Sequence, residues 1–327
     1  MKTTRKVTLV LLVLMSALTL GCAQTSNVRG ADRLSDASKP DYPGARALIQ
    51  QALENPETKD DAKTWYTAGL IEERAFTGEN QKSLKNEPQD LPSMYKALLA
   101  MHEYYKKTYE VDHQPNDKGK VRPKFEKKIA NAYKDNILYY INAGGYYMEQ
   151  KDFKSALQAF QSFREIKRSP LFEGDKFAQT DSNSLMVDFF AIITAYQAGD
   201  KKLAIQYGEE LKNTGYRQNE VYQILAQTYI EEGDTTNYIT TMREGLRIEL
   251  DSLLEEGARL VILVLYNVGV DQVDGVVRLL GEELETLAHR RDVVGRVALL
   301  DVGLSEDLVD LVLTITRVLK LLTILDS

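Results

Sequence analysis

Three similar stretches decide the fold: NAGGYYMEQKDFKSALQAF at residues 142–160, AIITAYQAGDKKLAIQYG at 191–208 and QILAQTYIEEGDTTNYITTM at 223–242. The dipeptides Gly199-Asp200 and Gly233-Asp234 lie 34 residues apart, each after an aromatic-bearing apolar run. This period is typical of a repeated helix–turn–helix unit. Glycine tolerates the left-handed backbone at such a turn, and aspartate hydrogen-bonds the local backbone. The sequence therefore predicts an all-α solenoid of antiparallel helical hairpins.

A third turn of the same kind precedes these two. Lys151-Asp152 stands where Gly-Asp stands in the other copies, and Asp152 lies 48 residues before Asp200. The 14 extra residues match a loop-like stretch rich in proline, glycine, aspartate and serine, Arg168–Ser182. We therefore predict an insertion at residues 168–182 between two otherwise regular hairpins.

The order of residue types within each copy resembles the tetratricopeptide repeat. The second copy has the large residue, small pair, aromatic, turn, alanine and second aromatic of that family at Tyr140, Ala143-Gly144, Tyr147, Lys151-Asp152-Phe153, Ala156 and Phe160. The later copies depart from the pattern at Gly208, Tyr238 and Met242. A first copy is indicated by Trp65, Ala68-Gly69 and Glu72, with its second helix at Ser93–Tyr109 displaced by a polar insertion at residues 77–92.

The resemblance covers residues 62–248 and implies a concave groove lined by the first helix of each hairpin. The inner positions of those helices are Tyr66, Glu73, Asn142, Glu149, Phe189, Tyr196, Gln197, Gln223, Gln227 and Glu231. Amide, acid and tyrosine side chains there suit an extended peptide. Each aromatic among them is equally compatible with packing against the next hairpin. These positions lack the lysine and arginine clamp by which some members of the family hold a peptide carboxylate.

The N-terminus predicts export. Basic residues precede a short apolar run, Val7–Leu20, as in a signal peptide spanning residues 1–23. Two cleavage sites fit: a lipoprotein signal with lipidation at Cys22, or ordinary cleavage after Ala23. Both place the protein outside the cytoplasm, in the periplasm or at the outer membrane as a lipoprotein, with residues 24–61 as a lead-in and first helix. Membrane attachment would occur only through the N-terminal lipid.

Charge and cysteine content exclude other classes of protein. Cys22 is the single cysteine, so an intramolecular disulfide is impossible. A net charge of −7 argues against nucleic-acid binding, which requires a clustered basic face. The lysine-rich stretch Lys118–Lys134 is interpreted as a solvated helical face.

The texture of the sequence changes after Ile248. Only Tyr266 of the aromatic residues lies in residues 249–327, and this region is acidic. We predict a helical region whose last helix, Glu306–Leu325, has a broad apolar face. That face docks either on the rest of the chain or on a partner or second copy. The region is a native domain, a fusion, a frameshift or an artificial junction; the residues alone do not separate these origins.

No residue set predicts catalysis, a metal or a cofactor. His102, His113 and His289 are far apart in the sequence, and neighbouring glutamates such as Glu72-Glu73 point in different directions on a helix. The sequence therefore predicts a noncatalytic scaffold that binds a protein or peptide in the bacterial cell envelope. One alternative is a glycan- or nutrient-binding helical outer-membrane lipoprotein, for which Trp65 is the single indole. Another is an enzyme using carboxylates of the insertions at 77–92 or 168–182.

Overall fold

A computed structural model describes residues 26–116, 118–245 and 248. These residues are helical with short connections and contain no strand, which confirms the predicted all-α fold. The predicted signal peptide, Cys22 and the whole C-terminal region, residues 249–327, lie outside the described residues. The helices, numbered in chain order, are α1 (26–35), α2 (Tyr42–Glu54), α3 (Ala62–Leu84), α4 (Leu91–Asp112), α5 (Glu126–Glu149), α6 (Phe153–Lys167), α7 (Ser182–Gln197), α8 (Lys201–Leu211), α9 (Gln218–Glu231) and α10 (235–245).

Consecutive helices pack as hairpins, and consecutive hairpins pack on one another. α3 packs with α4, α5 with α6, and α7 with α8, while α6–α7 and α8–α9 contacts join neighbouring hairpins. α10 returns along α9, since Gly245 lies against the side chain of Tyr222. The architecture is therefore a helical repeat-like stack.

The turns at Asp152, Asp200 and Asp234 share one backbone geometry. The N–H of each aspartate donates to the carbonyl five residues earlier, with an N···O distance of 2.9 Å in all three. Each carboxylate also accepts a hydrogen bond from the N–H three residues later, at 3.0–3.1 Å. The preceding residues are all left-handed: Lys151 (φ 58°), Gly199 (φ 84°) and Gly233 (φ 76°). The turn predicted from the repeated sequence therefore has the same hydrogen bonds in all three copies.

The polar stretch at residues 77–92 differs from a simple loop. α3 continues through it as far as Leu84, and only residues 85–90 connect α3 to α4. Asn86 takes the left-handed position here (φ 56°), and Asp90 caps α4 at the N–H of Ser93. The stretch therefore mainly lengthens the first helix. The second helix runs Leu91–Asp112, longer at both ends than predicted.

The second insertion, at residues 168–182, is folded against the stack. It contains two 3₁₀ turns, Pro170–Phe172 and Lys176–Ala178. Phe172 is fully buried and its ring lies 4.3 Å from that of Phe177. Lys134 of α5 forms an ion pair with Asp175. The insertion is thereby held beside α5 and α6.

Glycines allow close helix contacts within and between hairpins. A Cβ on Gly144 of α5 would lie 2.3 Å from the ring of Phe160 on α6, and one on Gly69 would lie 2.4 Å from Tyr105. Gly208 departs from the predicted aromatic because Leu225 of the next hairpin occupies the space, 2.6 Å from its ideal Cβ. One apolar core continues from α3 to α9 through these contacts.

Candidate functional site

The first helices of the hairpins, α3, α5, α7 and α9, are neighbours on one side of the stack. Asn80 of α3 donates to the hydroxyl of Tyr139 on α5 at 2.8 Å. The hydroxyl of Tyr196 on α7 donates to Glu231 on α9 at 2.6 Å. α5 and α7 line a common cleft described below. We call this side the first-helix face.

Six of the ten predicted groove residues are exposed. They carry amide or carboxylate groups and lie on α5, α7 and α9: Asn142, Glu149, Gln197, Gln223, Gln227 and Glu231. Gln227 donates to Glu231 at 2.6 Å. The other four hold their hydrogen-bond donors and acceptors in solvent, where a polypeptide backbone would find them.

Three other predicted groove residues belong to the packing instead. Tyr66 is half-buried and stacks on Phe125, with ring centroids 4.4 Å apart. Glu73 accepts a hydrogen bond from the Tyr105 hydroxyl, and burial raises the pKa of its carboxyl despite that bond. Phe189 is 4 % exposed, and the guanidinium of Arg217 covers its ring at 4.4 Å. Packing, the alternative left open for each aromatic, therefore describes Tyr66 and Phe189.

Tyr196, the tenth predicted groove residue, is partly exposed and belongs to a polar cluster around Glu231. Glu231 accepts hydrogen bonds from Tyr196 and from Gln227, both at 2.6 Å, and pairs with Lys201 at 3.0 Å. The Tyr196 bond first, then those of Gln227 and Lys201, lower the pKa of Glu231 to about 2. Glu231 therefore carries a fixed negative charge at the end of the first-helix face.

A cleft of about 620 Å³ opens between α5, α6, α7 and the insertion at residues 168–182. Asn142 is the one predicted groove residue that lines it. Lys134, Lys167 and Lys176 also line it, so the cleft contains basic side chains that the inner positions of the first helices lack. We call it the lysine cleft. Sequence reasoning missed it because two of these lysines lie on α6 and in the insertion.

Two of the cleft lysines are held by ion pairs. Lys134 pairs with Asp175, and Lys167 pairs with Asp181 at 3.1 Å. Lys176 is exposed and has no acidic partner among the described residues. Asp135, which also lines the cleft, has no basic partner among the described residues either, so the cleft has one unpaired charge of each sign.

His102 and His113, which were considered for a metal or catalytic site, contact neighbouring side chains instead. Buried His102 contacts the Tyr133 hydroxyl at 3.0 Å and Glu165 at 3.2 Å, and His113 contacts Glu126 at 2.8 Å. His289 lies outside the described residues. Within the described ranges, no three His, Cys, Asp or Glu side chains are grouped as metal ligands would be.

The alternative of an enzyme placed its carboxylates in the insertions at residues 77–92 or 168–182. Burial raises the pKa of two carboxyl groups that lie outside both insertions, Glu73 and Asp188. Asp188 pairs with the buried Arg164, as Glu73 is bonded to Tyr105. Both carboxyls therefore have structural partners.

Trp65, the indole of the glycan-binding alternative, is half-buried. Its ring nitrogen donates to the Lys59 carbonyl at 2.6 Å, and its ring lies 6.3 Å from that of Tyr104. The indole therefore packs against the start of the stack, and only part of it faces solvent.

None of the helices in the described part of the chain is both long and apolar enough to cross a membrane. No protein-family model matches this chain, and no curated protein matches its sequence.

Proposed function

We propose that this protein is a noncatalytic tetratricopeptide-type scaffold that binds a protein partner in the bacterial cell envelope. The observation that carries the proposal is the first-helix face. Its exposed amides and carboxylates stand on helices whose opposite sides are fixed in one continuous core. A polar row on a rigid support is suited to binding an extended polypeptide, because little side-chain or backbone order is lost on association.

The tetratricopeptide identity is supported by the shared turn geometry at Asp152, Asp200 and Asp234 and by the close contacts at Gly69 and Gly144. The envelope location is supported by the signal-like residues 1–23 alone. Lipidation at Cys22 and cleavage after Ala23 remain the two forms of the proposal. Mass spectrometry of the mature N-terminus distinguishes them, since only the first leaves a diacylglyceryl group on Cys22.

Photocrosslinking from the first-helix face tests the function. A photoreactive phenylalanine analogue replaces Gln223 on α9 in one protein and the exposed Lys202 on the second helix α8 in a matched control. After irradiation in envelope extract of the source organism, we expect a defined crosslinked partner from position 223 and none from position 202. Adding Gln227→Ala to the position-223 protein should weaken capture, because Gln227 lies on the same face.

Two outcomes of the crosslinking would contradict the proposed function. If positions 223 and 202 capture the same proteins, or if neither captures one, the first-helix face is not a partner-binding surface and the proposed function is wrong.

A further inference from the structure

We propose that the loop between α4 and α5 binds an anionic phospholipid surface, with its lysine and arginine side chains on the headgroup phosphates and Val121 between them. We call residues 118–127 the basic loop. This inference does not use the first-helix face and shares with the proposed function only the envelope location. It adds a second membrane contact to an N-terminal lipid on Cys22.

Basic side chains are concentrated in this loop. Residues 118–127 include five bases and one acid, in a chain whose net charge is −7. All five bases are exposed, and none forms an ion pair with another described residue: Lys118, Lys120, Arg122, Lys124 and Lys127. The acid, Glu126, contacts His113 at 2.8 Å. The basic loop therefore presents unpaired positive charges that attract an anionic surface.

Acidic side chains lie at the base of the loop. The Asp112 carboxylate accepts two backbone N–H groups there, at 2.6 and 2.8 Å. Burial first, then the charges of Glu126 and Glu173, raise the pKa of Tyr109 in the last turn of α4. Residues 112–128 still have six bases against three acids. The loop as a whole is therefore positive, and the acids around it lie mainly at its base.

The backbone of the loop is held at both ends. α5 begins at Glu126, so residues 118–125 are a loop and not the solvated helical face interpreted from the sequence. At the tip, the side chain of Asn116 accepts two backbone N–H groups, at 3.0 and 3.2 Å. At the base, Phe125 stacks on Tyr66 of α3. The basic side chains thus extend into solvent from a backbone with defined hydrogen bonds.

An apolar side chain stands among the bases. Val121, between Lys120 and Arg122, is 49 % exposed. A soluble anion would leave this side chain in water, whereas at a bilayer surface it would enter the apolar region beneath the headgroups. The combination of bases with an exposed apolar residue therefore favours a lipid surface over a soluble anion.

The start of the described chain lies at the same end of the stack. Asn27 of α1 donates to Gln51 in the last turn of α2 at 3.0 Å, and residues 55–61 connect that turn to the start of α3, where Tyr66 meets the loop. Residues 55–61 have three acids and one base, so the positive charge here belongs to the loop. Cys22 precedes Asn27 by five residues, a reach of at most about 18 Å. A lipid on Cys22 would therefore hold this end near a bilayer, and a lipid chain with a basic patch anchors stably.

A fluorophore at position 121 tests the contact. The full chain carries Cys22→Ser, which prevents lipidation, and Val121→Cys labelled with an environment-sensitive dye. The matched control carries the dye at Lys202→Cys, on the exposed surface of α8. Vesicles contain either equal parts of phosphatidylglycerol and phosphatidylcholine or phosphatidylcholine alone. We expect a blue shift and quenching by doxyl-labelled lipid at position 121 with the anionic vesicles only, and neither change at position 202.

Charge variants make the test specific to the loop. Lys120→Gln with Arg122→Gln should raise the lipid concentration at half-maximal dye response about 25-fold, since each base near an anionic surface contributes a factor of about five. Lys154→Gln with Lys202→Gln removes two exposed lysines that have no acidic partner among the described residues. This matched control should behave like the parent protein. Circular dichroism and thermal unfolding check that the variants fold.

Several outcomes would overturn the inference. These are an equal dye response on anionic and neutral vesicles, a response on neither, an equal response at positions 121 and 202, and equal effects of the two double variants. Sodium chloride and sodium phosphate at equal ionic strength should weaken the contact equally. A stronger effect of phosphate would assign the loop to a soluble phosphate ligand instead of a lipid surface. Capture at position 223 remains the test of the scaffold function, so either proposal can fail without the other.

Discussion

Lys151 stands at a turn position where the other copies of the repeat have glycine. It has a left-handed backbone (φ 58°) at a turn where the two equivalent positions are glycine. For a residue with a Cβ this conformation is about 1–2 kcal/mol higher in free energy than the right-handed one, whereas glycine adopts both readily. The α5–α6 turn therefore keeps its hydrogen bonds at the expense of local strain.

We expect Lys151→Gly to raise the free energy of unfolding by about 1 kcal/mol, because the strain is relieved and no contact is lost. Gly199→Ala should lower it by a similar amount, since a Cβ there meets no atom within 4 Å and only the backbone conformation is penalised. Urea unfolding of both variants measures the two changes. Changes of the same sign would show that the left-handed conformation is not the controlling factor.

The two adjacent glycines of α5 show how one element depends on its neighbour. Gly144 faces α6, where its Cβ would lie 2.3 Å from the buried ring of Phe160, whereas Gly145 faces open space. Gly144→Ala should destabilise the protein by about 2 kcal/mol, because the ring cannot move without disturbing the core. Gly145→Ala should stabilise it by about 0.5–1 kcal/mol through helix propensity. Thermal unfolding of the pair gives the comparison, and a loss of stability in both variants would contradict it.

Glu165 links α6 to α4 through an acid-sensitive contact. Its bonds to His102 and then to Lys106 lower the pKa of the carboxyl to about 2, below its ordinary value of 4.5. The stabilisation is thus complete above pH 4.5 and is lost as the pH falls towards 2. Glu165→Gln should cost up to about 1 kcal/mol at pH 7, since the side chain is half-exposed and screened.

The pH series provides the check on Glu165. Urea unfolding between pH 7 and pH 2.5 should show the difference between wild type and Glu165→Gln shrinking as the pH falls below 4.5. A constant difference over this range would mean that the ionised carboxylate is not the source of the stabilisation.

The helices and turns were predictable from sequence because their signals are local. Aspartate caps, left-handed glycines and small residues at contact positions act within a few residues of where they stand. Phe189 and the lysine cleft were not predictable in the same way. Phe189 is covered by Arg217 from a later loop, and Lys176 owes its place to the burial of Phe172 in a stretch without a period. Contacts between distant segments determine both.

At the scale of the whole molecule, neighbouring hairpins stabilise one another through a few side-chain contacts at their junctions. Arg164 of α6 is 5 % exposed and pairs with Asp188 of α7 and with Glu210 of α8 at 2.6 Å. Its guanidinium also lies 3.8 Å from the ring centroid of Tyr207. One side chain thus joins the second hairpin of the array to the third. Repeat proteins depend on such nearest-neighbour terms.

Arg164→Ala should therefore uncouple the two parts of the stack. Asp188 is partly buried and would keep only its weaker contact with Arg168 at 3.9 Å. The loss of Arg164 therefore costs about 2 kcal/mol, which corresponds to about thirtyfold faster amide exchange by subglobal opening. Native-state hydrogen exchange read by mass spectrometry should show this acceleration in α7, α8 and α9, while amides of α3 and α4, which do not touch Arg164, keep their wild-type rates. Lys202→Ala, on the exposed surface of α8, is the control and should change neither region. Equal acceleration from α3 to α9 would show that the described hairpins unfold as a single cooperative unit and that the junction at Arg164 does not divide them.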